Sequence, residues 1–378
     1  FEALQDFAPQ NVRIVDYGSS WEGRTLFYVV LSREKNITRL ADIKNNMQQL
    51  ADPRQLSESQ AQKLIESTPA VTWLSYSVHG NEISSTEAAM ATAYHLLAST
   101  NDPVAKAAME ETVTVLVPVQ NPDGRDRFVH HFEMARGPVA DANMDSAEHN
   151  EPWPRGRTNH YLFDLNRDWF AQTQPEIRAH AKAFLEWMPV AFVDAHEMGS
   201  DSTYFFAPEA EPYNPFITAE QRASLIMFGK TNAKRFDHFG IDYFTREVFD
   251  AFYPGYGASW PIYHGAIAMT YEQASARGLI ATRYDGSQFS YAETVRNHFV
   301  ASLATIETVA SNRQKLLQQF YEYRRSAIEI GSKGKTKSYI FANEPGSDAG
   351  FIMARSLSQQ GIEAVSYTHL RAHETASD

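Results

Sequence analysis

Val71-Thr72-Trp73-Leu74-Ser75-Tyr76-Ser77-Val78-His79-Gly80-Asn81-Glu82 is an apolar run that ends in a histidine and a glutamate three residues apart. The run does not alternate polar with apolar, so it reads as a strand covered on both faces, the condition of a parallel sheet. Its carboxyl end is where sites form in such sheets. A second junction of the same kind follows at Pro189 to Ala195, which ends in His196. Two imidazoles and one carboxylate are the donors of a catalytic zinc set, which holds three protein ligands and leaves the fourth position to water. The spacing alone is not specific, because His130-His131-Phe132-Glu133 repeats it with no matching third ligand.

Further apolar, β-branched runs at Val12 to Tyr17, Leu26 to Leu31, Val113 to Val119, Val190 to Asp194 and Ala266 to Tyr271 read as strands. Helical stretches lie between them. Ser84 and Glu87 offer a capping box for a helix to Ala98, and Pro175 suits the first turn of a helix to Trp187. Thr218 to His238 and Ser290 to Ser326 read as longer helices. The pattern predicts an α/β fold: one large domain with a mostly parallel, mixed sheet flanked by helices.

That domain is expected over residues 1–330. Residues 331–365 read as a linker and the truncated start of a second α/β module, with a strand at Ser338 to Ala342 and a helix over Gly346 to Gln360. About thirty residues cannot bury a core of their own. Residues 366–378 break the pattern and are expected to be a non-native tail, despite the metal-like spacing of His369 and His373. The chain is read as a piece of a longer protein.

Composition narrows the function classes. With 43% apolar and 21% charged residues the chain is globular in character, and no run approaches the roughly 18 apolar residues of a membrane helix. Thirty-four Lys and Arg against 46 Asp and Glu leave a net charge of −12, which argues against a nucleic acid or an anionic membrane as partner. The absence of cysteine excludes disulfides, zinc-thiolate sites and a thiol nucleophile.

Further polar segments stand at strand ends or in adjoining loops: Asn121-Pro122-Asp123-Gly124, Arg136, Asp164 to Trp169, Phe252 to Trp260, and Thr270-Tyr271-Glu272. The order His-x-x-Glu, Asn-Pro-Asp-Gly, Arg, Asn-Arg, His, aromatic and Gly-rich turn, Thr-x-Glu resembles the zinc metallocarboxypeptidase family, of the carboxypeptidase A and B type. The likeness spans roughly Arg13 to Glu293.

The resemblance implies one Zn²⁺ per catalytic domain, held by His79, Glu82 and His196, with Glu272 as general base. A carboxylate beside an activated water can take its proton and later pass it to the leaving amine. Arg136 is implied as the guanidinium that stabilises the oxyanion, with Arg125 and Arg127 as nearer rivals. Asn166 and Arg167 are implied to bind a free α-carboxylate, which suits a bidentate guanidinium. Tyr253, in preference to Tyr256, is implied to close over bound peptide. Glu197 reads as an outer support or a surface residue, and Glu148, His149 and His160 as loop residues rimming the cleft.

The expected activity is therefore zinc-dependent hydrolysis of the C-terminal peptide bond of a peptide or protein, in an exported enzyme. A relative acting on cell-wall muropeptides or side-chain-linked amino acids, and a non-catalytic peptide-binding module, are the alternatives.

Overall fold

Each of the six runs expected to be strands lies in one eight-stranded sheet of the computed structural model, which describes residues 1–341 and 346–365. In chain order the strands are β1 (Val12–Ser19), β2 (Thr25–Leu31), β3 (Ala70–Tyr76), β4 (Thr112–Val117), β5 (Ala191–Met198), β6 (Tyr204–Phe205), β7 (Tyr243–Phe244) and β8 (Ile267–Ala274). Their spatial order is β1-β2-β4-β3-β5-β8-β6-β7. β4, β3, β5 and β8 run parallel, and antiparallel partners flank them. Two-residue strands such as β6 and β7 carry too little pattern to be read from sequence.

Every residue of β3 and β4 is buried, as the unalternating runs require. Helices Ser85–Ala98, Pro103–Glu111, Ala219–Phe239 and Tyr291–Ser311 pack on one another along one face. On the other face, helix Pro175–Trp187 packs against β1, and its Phe184 lies against Trp73 and Phe192 of the sheet. The chain leaves β3 for β4 on one side and returns on the other side as β5. This reversal opens a crevice at the carboxyl ends of β3 and β5, where α/β sheets place their sites.

Three local expectations differ from the structure. Ser84 makes no capping hydrogen bond to the helix it precedes, because its hydroxyl is turned to Glu197 and Gln273. The expected helix over 290–326 is two helices, Tyr291–Ser311 and Arg313–Lys333, parted at Asn312. Arg313 is drawn aside there by the backbone carbonyls of Ile65, Glu66 and Thr68 and by Glu111. Residues 338–341 form no strand, and the helix that follows is Ala349–Gln359. The tail expected over 366–378 lies outside the described residues. Among the described residues, no helix is long and apolar enough to cross a membrane.

Gly80, between the two candidate ligands of the first loop, is fixed by close approach. A Cβ there would sit 2.0 Å from Arg125 N, 2.2 Å from Gly124 C and 2.7 Å from Gly156 O, all backbone atoms. We predict that Gly80→Ala lowers the free energy of unfolding by at least about 3 kcal/mol, because the clash is with backbone and cannot relax through a rotamer. Urea denaturation tests this; a loss under about 1 kcal/mol would show that the loop yields.

Candidate active site

Ser77, in the left-handed region at φ 56°, turns the chain out of β3 and into the His79–Glu82 loop. The loop closes on itself through Glu82 N–H donating to His79 O at 3.1 Å. Its two side chains meet His196 of β5 across the crevice. His79 Nδ1 lies 2.7 Å from Glu82 Oε1, and His196 Nδ1 lies 3.0 Å from Glu82 Oε2 and 3.3 Å from His79 Nδ1. All three side chains are buried. Among the described residues they form a group whose ligand atoms all lie within 4.8 Å of one another.

The outward ring nitrogens are held as well. His79 Nε2 is 2.9 Å from Asp164 Oδ1, and His196 Nε2 is 2.8 Å from Asp194 Oδ2. A carboxylate on Nε2 keeps the proton there and leaves the Nδ1 lone pair facing the group, which suits a divalent cation with nitrogen and oxygen ligands. Burial pulls both imidazoles toward the neutral form, but the charges of Glu82 on His79 and of Asp194 and Glu82 on His196 outweigh it and raise both above the ordinary value. Burial likewise disfavours the Glu82 anion, yet the two histidines hold its carboxyl well below the usual range. Without a metal the group stores protons that a metal has to displace.

Glu272 of β8 pairs in register with His196 of the neighbouring parallel strand, so the two side chains stand side by side, about 4.8 Å apart at the backbone. Burial pushes the Glu272 carboxyl up to about 8, against the opposing pull of His196. Arg167 lies over the Tyr256 ring at 4.7 Å, and Tyr253 donates its hydroxyl to Arg167 O at 3.3 Å. Asn166 is turned inward: Gly257 N–H donates to its Oδ1 at 2.6 Å, and its Nδ2 lies 3.0 Å from His196 Nε2. His79, Glu82, His196, Glu272, Asn166, Arg167 and Tyr253 therefore come together around one crevice.

Arg136 does not join them. It follows helix Pro122–Ala135, is exposed, and pairs with Glu133 at 2.9 Å. Arg125 lies against Gly80, and Arg136 stands eleven positions farther along, just past the helix end, a distance of about 16 Å. Arg125 is spent on Ile83 O and Glu87, and Arg127 on the carbonyls of Arg155 and Asn159. The guanidinium beside the group is Arg157, with Nη1 3.4 Å from Glu82 Oε1 and Nη2 2.9 Å from Asp164 Oδ2. Only its position shortly before Asp164 in a Pro- and Gly-containing loop hinted at it. Asp194 was also missed, although an aspartate two residues before His196 in an otherwise apolar strand shares its face.

Glu197, read as an outer support or a surface residue, is buried. Its carboxylate accepts from Ser84 N–H at 2.7 Å and from the Ser84 and Ser275 hydroxyls, while its own N–H donates to Glu82 Oε2 at 3.0 Å. Glu148 and His149, expected as loop residues at the rim, are buried, with His149 on the carbonyls of Asp141 and Arg277, and His160 is exposed on Glu22. His130 of the decoy pair is exposed beside Asp126.

A sequence model of the zinc carboxypeptidase family matches residues 1–329. The chain belongs to that family. This zinc carboxypeptidase chain has the fold of solved family structures. A metallo-carboxypeptidase from Burkholderia cenocepacia superposes with a TM-score of 0.54 at 17% identity, over 82% of this chain and 67% of that one. A metallo-carboxypeptidase from Pseudomonas aeruginosa, in complex with (2-guanidinoethylmercapto)succinic acid, gives 0.54 at 17% identity over 83% and 68%. Carboxypeptidase A from Helicoverpa armigera gives 0.52 at 16% over 87% and 72%. No curated protein matches the chain.

Because both histidines hold protons above their ordinary pKa in the metal-free state, metal affinity is predicted to rise with pH through neutrality and to release protons on binding. Calorimetric titration of the metal-free protein with Zn²⁺, in buffers of different ionisation enthalpy, measures both. Affinity independent of pH would mean that the two histidines do not ligate.

Proposed function

We propose that the chain is a zinc-dependent carboxypeptidase that removes the C-terminal residue of a peptide or protein by attack of water on the last peptide bond. The reading is carried by one observation, the buried His79–Glu82–His196 group with Glu272 in register beside it. Zn²⁺ bound by these three side chains would supply Lewis acidity at the scissile carbonyl and lower the pKa of water.

Glu272 accepts the proton of the attacking water and returns it to the leaving amine. Its burial, which lifts the carboxyl toward 8, leaves it a strong enough base for this once nearby positive charge keeps it ionised. Arg157, in place of Arg136, faces the developing oxyanion. It is held for that task by Asp164, which also orients His79. Arg167 receives the terminal carboxylate, and Asn166 braces the turn through Gly257. Tyr253, half-exposed beside Arg167, closes over the bound end.

Chelation should abolish hydrolysis and Zn²⁺ restore it. Glu272→Gln should bind Zn²⁺ normally yet lose roughly 10²- to 10⁴-fold in kcat. In the same assay Arg157→Ala should lose about 10²- to 10³-fold, and Arg136→Ala less than about threefold. Full activity of Glu272→Gln would remove the proposed base, and a large loss in Arg136→Ala would restore that residue to the site.

Amidating the C-terminus of a peptide substrate should reduce kcat/KM by about 10²-fold or more, because the guanidinium of Arg167 then meets no carboxylate to pair with. Mass spectrometry of the products reads both the bond cut and the residue released. Equal cleavage of the free and amidated forms would move the assignment to an amidase or endopeptidase.

A further inference from the structure

The side chain of Glu151 is 5% exposed, and both of its oxygens are engaged. Oε2 accepts from Asn81 Nδ2 at 2.7 Å, and Oε1 accepts from Gly156 N–H at 2.7 Å. Arg277 Nη1 lies 3.9 Å from Oε2. Asn81 precedes Glu82, Gly156 precedes Arg157, and Arg277 follows Glu272 by five positions. One carboxylate thus joins the ligand loop, the loop that carries the guanidinium, and the segment that leaves β8. Its partners are all donors, which a carboxylate, an acceptor only, satisfies and an amide does not, because the NH₂ of a glutamine would meet another donor. Hydrogen bonds to a carboxylate are also roughly twice as strong as those between neutral groups.

The peptide that Glu151 holds is fitted closely on its other sides. A Cβ on Gly156 would sit 2.6 Å from Gly124 O and 2.8 Å from Phe128 Cβ, and the Gly156 carbonyl in turn lies against Gly80 and Gly124. Asn121, whose Oδ1 caps the helix at Gly124 N–H, donates from Nδ2 to Arg157 O at 3.2 Å. The backbone around Arg157 is therefore held at the preceding N–H by Glu151 and at its own carbonyl by Asn121. The far end of the side chain is held by Asp164, through Nε at 3.1 Å and Nη2 at 2.9 Å. Arginine is a long side chain with much rotamer freedom, so fixing it at both ends places the guanidinium beside Glu82 and leaves little reorganisation for the moment of reaction.

We propose that Glu151 is a positioning residue for the oxyanion guanidinium: it fixes the backbone from which Arg157 reaches the scissile bond and sets that backbone against the ligand loop. The role rests on the carboxypeptidase reading and on the place of Arg157 in it. Glu151 acts through Arg157 and not on the substrate. Its loss is therefore felt in the transition state, where charge reaches the carbonyl oxygen, and not in the binding of the peptide.

Kinetics of the zinc-loaded protein on a peptide with a free C-terminus decide this with Glu151→Gln, Arg157→Ala and the double variant. Glu151→Gln should lower kcat about tenfold and leave KM within about twofold of wild type. Glu82 keeps its own restraint from Glu197 N–H, so Zn²⁺ affinity measured by calorimetry should also stay within about twofold. In the Arg157→Ala background the same change should cost less than about twofold, because the guanidinium it places is gone. A residue that merely supports the fold would lower kcat alike in both backgrounds. That result, or full activity of Glu151→Gln, overturns the proposal. If Glu151→Gln does not fold, Glu151→Asp, too short to reach Asn81 and Gly156 together, carries the same cycle with the same expected losses.

Binding separates this outcome from a failure of the carboxypeptidase reading. A peptide with a phosphonate in place of its last amide puts tetrahedral oxygens where the oxyanion would form and needs no turnover. Glu151→Gln should bind it about tenfold more weakly than wild type, while Arg157→Ala and the double variant should bind it within about twofold of each other. If wild type releases no C-terminal residue, the carboxypeptidase reading fails. Equal phosphonate affinity of wild type and Glu151→Gln removes the role of Glu151 whatever the turnover.

Discussion

The carboxylate of Glu82 lies buried between two imidazoles. One oxygen meets His79 from its own loop and the other meets His196 from β5. A buried anion without partners would be prohibitively unfavourable, so this contact holds only while β3 and β5 stay adjacent and in register. The register gives the reason it does: Tyr76, three residues before His79, pairs with Ala195, one before His196. The ligand geometry is thus a consequence of sheet pairing, and the crevice exists because the chain reverses its direction of travel at that point.

Around this contact a layer of carboxylates fixes what each ligand can do. Asp164 and Asp194 take the outward nitrogens of the histidines, and Glu197 ties the backbone of the Ser85 helix to β5 while its own N–H restrains Glu82. Neutral nitrogen ligands with fixed tautomers follow from the first two, and a fixed carboxylate from the third. The concentration of acidic groups raises the proton affinity of the histidines, so the field that invites a dication also makes protons its competitor. Glu272 sits at the edge of this field, where burial and charge oppose each other and leave its carboxyl near neutrality.

Strand identity was legible because β3, β4, β5 and β8 are buried on both faces and carry unbroken apolar runs. The candidate ligands His79, Glu82 and His196 were legible because they stand at the ends of those runs. Arg136 shows the limit. Its spacing after Asn121 suited the role, yet the segment between is helical, and a helix carries its end about 1.5 Å farther per residue from the point where it began. Arg157 returns to the group through an irregular loop with a cis Trp153–Pro154 bond, whose path no periodicity encodes. Ser84 likewise carried a capping pattern, but a buried carboxylate arriving from β5 claimed its hydroxyl.

Sequence by itself determined the fold class and the strands whose ends carry His79, Glu82, His196 and Glu272, since each is written in local composition and order. Tertiary structure alone decided which arginine stands beside the His79–Glu82–His196 group and which carboxylates hold the imidazoles. The physical reason is that these roles depend on distances between segments far apart in the chain. Such distances are set by sheet order and loop path, and no stretch of residues contains them.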